Sequence, residues 1–110
     1  MSERVAGQSA ASRKEDPDYQ VEATLSAEAE LDHIPKRDWP RVQRDILGLA
    51  KNPRPPNAVK IASDTYRLRR GDWRIIYRVY EDSKYVLIGG ARRRNERTYK
   101  GIEQLFPADD

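Results

Sequence analysis

The 110-residue sequence contains no cysteine and only one histidine, His33. The absence of cysteine excludes disulfides, thiolate nucleophiles and cysteine-ligated metal sites, and one histidine makes a histidine-based zinc site implausible. No apolar run approaches the roughly 18 residues that cross a bilayer, and the N-terminus lacks the apolar segment of a secretory signal. We therefore expect a cytoplasmic protein with no cofactor.

Two further kinds of site are missing. Gly89-Gly90 lies within a strand pattern rather than before a helix, so it is not a phosphate-binding loop, and it favours a bulge or a close approach of ligand to backbone. Asp72, Glu81 and Asp82 fall at predicted turns, which explains them without a carboxylate pair. His33 lies near the end of the first predicted helix and is interpreted as a surface or helix-end histidine.

Arginine is abundant, and its distribution is uneven. The net charge is only +3. Residues 66–100 hold eleven Lys or Arg and four Asp or Glu, which gives +7, so the remainder sums to 3 − 7 = −4. Positive charge concentrated on one segment is typical of proteins that bind nucleic acid or another polyanion.

The first part of the chain is divided by its apolar pattern. Residues 1–18 have no periodic apolar pattern and are predicted to be a disordered tail, with one domain over 19–106 and a short tail over 107–110. Apolar and polar residues alternate from Tyr19 to Leu25, which predicts a half-buried strand. Ser26 is the predicted cap of a short helix that ends at Pro35.

A longer helix is predicted to begin at Asp38 and to stop before Asn52-Pro53, with Pro40 in its first turn. Its apolar stripe consists of Trp39, Val42, Ile46, Leu49 and Ala50. Residues 54–57 form a stiff connector, and residues 58–62 form a link with no assigned structure. A final helix over 95–106 is predicted, although the low helix propensity of Gly101 counts against it.

Residues 66–93 predict three antiparallel strands. Gly71-Asp72 suits a two-residue hairpin loop with glycine first, and residues 81–84 form a second polar break. The implied pairs are Arg69 opposite Arg74, Tyr77 opposite Ile88, Val79 opposite Val86 and Arg74 opposite Ala91. The predicted fold is α+β, a small antiparallel sheet packed against an N-terminal helical hairpin, in the order βααβββ with a possible last helix.

Both hairpins sort the side chains in the same way. The core face is predicted to hold Tyr66, Leu68, Ile75, Tyr77, Val79, Val86 and Ile88. The opposite face is predicted to hold Arg67, Arg69, Arg74, Arg78, Ala91 and Arg93, with Ile76, Leu87 and Gly89. Like charges opposite each other on a sheet cost up to about 1 kcal/mol. A sequence that keeps them is expected to hold an anion there, the alternative being a merely solvated face.

Arginine and tyrosine together suit RNA. Guanidinium groups bind phosphate bidentately, and aromatic rings stack on bases. Arginines around a phosphate also stabilise the charge of a pentacoordinate transition state, and RNA supplies its own 2′-hydroxyl nucleophile.

The segment YRLRRGDWRIIY, with Asn52-Pro53 before it and residues 90–99 after it, resembles the RelE/ParE superfamily of bacterial toxins, and the RelE branch more closely. The resemblance covers Tyr19 to about Phe106. It implies a RelE-like toxin of a type II toxin-antitoxin system, a metal-independent endoribonuclease that inhibits translation. Such a toxin cleaves mRNA in the ribosomal A site and is neutralised by a cognate antitoxin.

The resemblance also implies site residues. Arg67 and Arg69 match the basic positions of the first hairpin strand, and Arg74 matches the arginine that stabilises the scissile phosphate. Arg93 matches the arginine that assists the leaving group, although Arg92 or Arg94 is a possible substitute one position away. Tyr99 matches the tyrosine that orients RNA, or else it is a core tyrosine of the last helix. The other predicted RNA-binding residues are Arg70, Arg78, Arg92, Arg94, Arg97 and Lys100.

One departure concerns proton transfer. Members of the family often carry lysine where this chain has Arg67 and Arg69. Arginine stays charged and is a poor general base, so Arg69 is expected to position the 2′-hydroxyl rather than deprotonate it. Cleavage is then expected to be slow without the ribosome. The alternatives are a non-enzymatic toxin of the ParE branch, which the resemblance connects with binding to DNA gyrase, and an inactive RNA-binding relative.

Overall fold

A computed structural model describes residues 18–95 and 101–107 of the chain. Within these residues two helices pack on a five-stranded sheet with the strand order β1-β5-β4-β3-β2. The elements are β1 (Gln20–Ala23), α1 (Leu25–Asp32), α2 (Trp39–Gly48), β2 (Ala58–Ala62), β3 (Thr65–Arg70), β4 (Trp73–Tyr80), β5 (Tyr85–Arg93) and a 3-10 helix (Ile102–Leu105). The α+β class and the predicted helical pair are confirmed. The tails predicted for 1–18 and 107–110 lie almost wholly outside the described residues.

The sheet is mixed rather than wholly antiparallel. β1 runs parallel to β5, with Val21 beside Val86. After the two helices the chain enters the sheet again at the far edge, in β2, and the antiparallel strands β2, β3, β4 and β5 then return to β1 with β5 in the same direction. Residues 58–62, to which no structure was assigned, form an edge strand antiparallel to β3. Its apolar pattern is weak because Val59 and Lys60 are exposed at the edge.

The predicted core face is confirmed. Six of its members are buried beneath the helices: Leu68, Ile75, Tyr77, Val79, Val86 and Ile88. Tyr66 is half-buried and stacks on Tyr77 with 5.6 Å between ring centres. The Tyr77 hydroxyl donates a 2.6 Å hydrogen bond to the Pro53 carbonyl, and burial raises the pKa of this tyrosine. The connector after α2 is thereby anchored to the middle of the sheet.

The helix α2 follows the sequence closely. Val42, Ile46 and Leu49 of the predicted stripe are fully buried against the sheet. Asp38 occupies the N-cap position as predicted, but its carboxylate makes no capping hydrogen bond. It accepts a 3.1 Å hydrogen bond from Trp73 Nε1 instead, which joins the start of the helix to the start of β4.

The cap predicted for α1 is wrong by two residues. Thr24, rather than Ser26, is the N-cap, and its Oγ1 accepts a 3.0 Å hydrogen bond from the Ala27 amide. The strand ends at Ala23, and Leu25, the last apolar residue of the alternating pattern, is 84% exposed on the first turn of the helix. Alternation alone did not show where extended backbone changes to helix.

A second, smaller apolar cluster covers the opposite face of the sheet. Its buried members are Ile76, Leu87 and Phe106, with Ile61, Tyr85, Ile102 and Leu105 packed around them. The described end of the chain is a 3-10 helix rather than the predicted α-helix, and Gly101 precedes it with φ +66°. The ring of Phe106 lies directly over Gly89, where a Cβ atom would be 2.6 Å from the ring.

A polar cluster around Glu81 closes the other end of the sheet. Glu81 accepts hydrogen bonds from the Tyr19 hydroxyl and from Arg54 Nη2, the latter at 3.0 Å. Arg54 Nε also donates to the Tyr66 hydroxyl at 2.9 Å. The hydrogen bonds from Tyr19 and Arg54 lower the pKa of Glu81. None of the helices in residues 18–95 and 101–107 has the length and apolar character needed to span a membrane.

We expect Gly89→Ala to destabilise the protein, because the added methyl overlaps the Phe106 ring. Overpacking of this kind costs about 1–3 kcal/mol, which urea denaturation will measure. The control is Gly48→Ala at the end of α2, where nothing lies within 4 Å of the added atom. That change should be neutral or stabilising by up to about 1 kcal/mol. Equal stabilities of the two variants would contradict this packing.

Glu81→Gln is expected to alter the stability of the protein in acid. Because the folded state lowers the pKa of Glu81, the carboxylate favours folding above its unfolded pKa, and that contribution is lost as pH falls through the folded value. The difference in Tm between wild type and variant should therefore shrink as the pH is lowered from 7 to 3. Asp82→Asn reports the effect of removing another charge from the same turn. A constant difference in Tm across this range would refute the lowered pKa of Glu81 in the folded state.

Candidate nucleic-acid interface

The β3–β4 hairpin presents its arginines as predicted at its tip. Gly71 has φ +59° and opens the two-residue loop, a conformation that glycine adopts without strain. Arg69 lies opposite Arg74, and Arg70 lies opposite Trp73. The Arg94 amide donates a 2.7 Å hydrogen bond to the Asp72 carbonyl, so the end of β5 is fixed to the hairpin loop.

A β-bulge in β5 changes the face on which its last residues lie. Tyr77 pairs with Ile88 as predicted, but Ile76 pairs with Gly90, which leaves Gly89 as an extra residue. The bulge predicted at the two glycines is therefore confirmed. Beyond it, the pairing moves by one residue along β5. The predicted pair of Arg74 with Ala91 is wrong, because Arg74 faces Arg92.

The bulge separates Arg93 from the other predicted catalytic arginines. Arg93 pairs with Trp73, and its guanidinium carbon lies 4.5 Å from the centre of the Trp73 ring. Trp73 belongs to the core beneath the helices, as does the buried Ala91. The expectation that Arg93 and Ala91 share a face with Arg74 is therefore wrong. Arg92 takes that place, as the possible one-residue displacement had allowed.

We call the resulting set the arginine face: Arg67, Arg69, Arg74 and Arg92. Its members differ in exposure. Arg69 is exposed and Arg67 is half-buried, whereas Arg74 is only 5% exposed. Arg74 Nη1 donates hydrogen bonds to the carbonyls of Gly71, at 2.7 Å, and Trp73, at 3.0 Å. Arg74 thus stabilises the hairpin tip, and Arg69 offers the most accessible guanidinium on this face.

Glu30 of α1 holds the free edge of β5 beyond the end of β1. One carboxylate oxygen accepts a 2.8 Å hydrogen bond from the Ala91 amide, and the other lies 3.7 Å from Arg92 Nε. Glu30 was not among the residues predicted from the sequence. A lone glutamate on a short helix carries no signal that it will reach an arginine sixty residues away.

Two other predicted RNA-binding residues have structural partners. Arg70 points to the helix side, where its Nε and Nη2 donate to the Asp45 carboxylate at 2.7 and 3.0 Å, and this contact raises its pKa. Arg78 lies over the Phe106 ring at 4.5 Å and donates to Thr65 Oγ1 at 2.9 Å. Arg78 therefore belongs with the second apolar cluster.

The remaining predicted residues are placed as follows. Arg94 is exposed at the end of β5. Tyr99, Arg97 and Lys100 lie outside the described residues, so the roles given to them stay predictions. His33 is exposed at the C-cap of α1, the helix-end position expected of it. In the described part of the chain, no three His, Cys, Asp or Glu side chains are grouped as metal ligands would be.

The sequence matches the family model for the ParE toxin of the type II toxin-antitoxin system parDE over residues 21–97. This match runs from the second residue of β1 to beyond the end of β5, so it includes both helices and all of the sheet except Gln20. No curated protein is matched by the sequence.

Solved structures share the fold. The RelE-RelB complex of Pyrococcus horikoshii OT3 is similar with 26% identity and a TM-score of 0.63, over 72% of this chain and 98% of that one. RelBE2 of Mycobacterium tuberculosis is similar with 23% identity and a TM-score of 0.53, over 70% of this chain and 99% of that one. The isolated RelE toxin of E. coli is similar with 15% identity and a TM-score of 0.61, over 80% of this chain and 99% of that one. The last two, below 25% identity, support the fold alone.

The Arg70–Asp45 ion pair can be tested by a double-mutant cycle. We expect Arg70→Ala and Asp45→Ala to be non-additive, because each removes the same bidentate interaction. Arg70 is partly exposed, so the coupling should be about 0.5–1 kcal/mol in low salt and smaller in high salt. Thermal melts of the four proteins will measure it, with Arg44→Ala on the same helix as control. Additive effects would show that the pair contributes nothing.

Proposed function

Since the chain belongs to the ParE toxin family of type II toxin-antitoxin systems, within the RelE/ParE superfamily, we propose that it is a toxin that cleaves mRNA in the ribosomal A site. The proposed activity is that of a ribosome-dependent, metal-independent endoribonuclease. It acts in the cytoplasm and stops translation.

One observation carries this proposal: Arg69 is exposed directly opposite Arg74, with Arg67 and Arg92 on the same face. The strands β3, β4 and β5 contain no aspartate or glutamate, and Glu30 of α1 approaches this face from one side, 3.7 Å from Arg92 Nε. Like-charged neighbours destabilise a sheet by up to about 1 kcal/mol per pair. A phosphate bound between the guanidinium groups would turn this repulsion into attraction.

The proposed reaction is an internal transfer at phosphorus. The 2′-oxygen of the substrate forms a bond to phosphorus, and the bond from phosphorus to the 5′-oxygen of the next nucleotide breaks. The products are a 2′,3′-cyclic phosphate and a 5′-hydroxyl. Arg69 holds a phosphate oxygen and the 2′-hydroxyl in position, and Arg74 with Arg92 stabilises the negative charge that accumulates on the phosphoryl oxygens.

Proton transfer explains the dependence on the ribosome. The described residues of the arginine face are permanently charged guanidinium groups, which do not accept the 2′-hydroxyl proton. The proton leaves to water or to a ribosomal group, and the leaving 5′-oxygen receives a proton from the same surroundings. The toxin alone is therefore a slow nuclease, and the ribosome supplies both the substrate geometry and the proton acceptor.

The proposed partner is a cognate antitoxin. Two of the similar structures, from P. horikoshii and M. tuberculosis, are complexes of a toxin with its antitoxin. An acidic or amphipathic antitoxin segment would cover the arginine face and compete with RNA.

A second candidate function is non-enzymatic binding to DNA gyrase. It is favoured by the burial of Arg74 and by the position of Arg93 on the opposite face, since both reduce the number of arginines that converge on one phosphate. Inhibition of supercoiling by the purified chain, without cleavage of message, would support this candidate.

The test of the nuclease is primer extension on ribosomes stalled on a defined message. We expect a new 5′ end within the A-site codon, reduced about 10²-fold or more in Arg69→Ala, because that variant removes a group that binds the transition state. Because the Arg69 side chain is exposed, the Arg69→Ala variant should keep the fold of the wild type. Arg74→Ala is a poorer probe, since it also leaves two carbonyls at the hairpin tip without their donor.

The matched control is Arg44→Ala, which removes an exposed arginine from α2 and should cut like wild type. Intact message with the wild-type protein, or equal cutting by Arg69→Ala, would overturn the proposal.

A further inference from the structure

An open cavity of about 380 Å³ on the helix side of the sheet is lined by basic side chains outside the arginine face. It lies between the β3–β4 hairpin tip and the start of α2. Its charged lining consists of Arg37, Arg41, Arg70, Arg93, Asp38 and Asp72. Four arginines against two aspartates leave a net charge of two positive, and the function proposed above makes no use of this cavity.

The acidic groups near the cavity are largely engaged by specific donors. Asp38 accepts the Trp73 Nε1 hydrogen bond and lies 3.8 Å from Arg41, a long contact on an exposed arginine. Asp45, just outside the lining, is bound to Arg70. Arg37 makes no ion pair with any residue of 18–95 or 101–107. The exposed guanidinium groups of Arg37 and Arg41 are therefore the strongest attraction for an anion here.

At the hairpin tip, basic side chains lie on both faces of the sheet, those of the cavity on one side and those of the arginine face on the other. Consecutive residues of a strand point to opposite faces, so Arg69 and Arg70 lie on opposite sides of the hairpin. Arg92 and Arg93 alternate in the same way in β5, and the Gly89 bulge places Arg92 opposite Arg74 and Arg93 opposite Trp73. Guanidinium groups thus follow both strands from one face to the other, past the exposed Gly71-Asp72 loop.

The lining selects for phosphate rather than for bases. The aromatic ring of the cavity, Trp73, is only 6% exposed and is covered by the Arg93 guanidinium at 4.5 Å. A base would find no open ring on which to stack, whereas phosphate oxygens would meet guanidinium groups. Binding of this kind does not depend on nucleotide sequence.

We propose that this cavity is a phosphate-binding subsite for the RNA strand next to the scissile nucleotide, so that the strand bends around the hairpin tip from the arginine face to Arg37, Arg41 and Arg93. The inference rests on the function proposed above, since the ligand is the same RNA. It assigns Arg93 to holding the flanking strand instead of assisting the leaving group.

The experiment measures binding of a labelled octamer of 2′-O-methyl uridine, which has phosphates but no 2′-hydroxyl nucleophile and is not cleaved. Fluorescence anisotropy is recorded over a range of salt for wild type and for Arg37→Ala/Arg41→Ala. We expect the Kd to rise about tenfold, and the slope of log K against log salt to fall by about 0.7 for each phosphate that the variant no longer binds.

The matched control is Lys36→Ala/Arg44→Ala, which removes two exposed positive charges from the same region outside the cavity lining. Its Kd should change less than about twofold, because only long-range attraction is removed. Arg37→Ala alone is a second variant that breaks no ion pair of the described residues. Melting curves verify that each variant is folded.

The same variants are also tested with a labelled glutamate-rich octapeptide. Three results would overturn the subsite: an unchanged Kd and slope for RNA in Arg37→Ala/Arg41→Ala, an equal loss of RNA affinity in the control pair, or a loss of affinity for the octapeptide with none for RNA. The last would show that the cavity takes carboxylates of a protein partner. The primer-extension assay is independent of these outcomes. If the message stays intact but the salt slopes of wild type and Arg37→Ala/Arg41→Ala still differ, the nuclease is rejected and RNA binding in the cavity is kept. If the message is cut but the slopes are equal, the subsite is rejected and the nuclease is kept.

Discussion

The packing of Phe106 over Gly89 is the contact on which the arrangement of the basic residues depends. Only a residue without a side chain leaves room for the ring at this point, and the same glycine is the extra residue of the bulge. The bulge sets the register of everything after it in β5. One bare position thus closes the second apolar cluster and decides which arginine faces Arg74.

The sheet is stabilised from both sides, and this leaves the hairpin tip as the place where charge accumulates. The helices bury one face through a continuous apolar core, and the C-terminal segment covers part of the other. At the opposite end, Glu81 ties β1, the connector and β4 together through Tyr19 and Arg54. At the basic end, the Arg70–Asp45 and Trp73–Asp38 contacts hold the hairpin against α2, while Arg37, Arg41 and Arg69 are exposed on the two sides of the sheet.

Proteins of one fold can host different activities, and the local arrangement decides between them. The family assignment gives a toxin, whereas the choice between RNA cleavage and binding to a protein target depends on how many guanidinium groups reach one phosphate. The burial of Arg74 and the position of Arg93 on the opposite face of the sheet reduce the number of guanidinium groups that reach one phosphate on the arginine face. Arg92 and the cavity beside α2 restore basic groups along a longer path, which fits a flexible strand better than a compact anion.

The α+β class, the core face and the Arg69–Arg74 pair could be predicted from the amino-acid sequence, because strand alternation and the Gly71-Asp72 loop are local properties. A bulge was one of the two alternatives predicted for Gly89-Gly90, and the structure has it there. The sequence did not determine which side of the sheet Arg93 occupies, since one extra residue reverses the alternation and the pairing across strands decides where that residue falls. The parallel pairing of β1, the contact of Glu30 with β5 and the cavity next to Arg37 depend on tertiary contacts that no local pattern encodes, because each joins segments far apart in the chain.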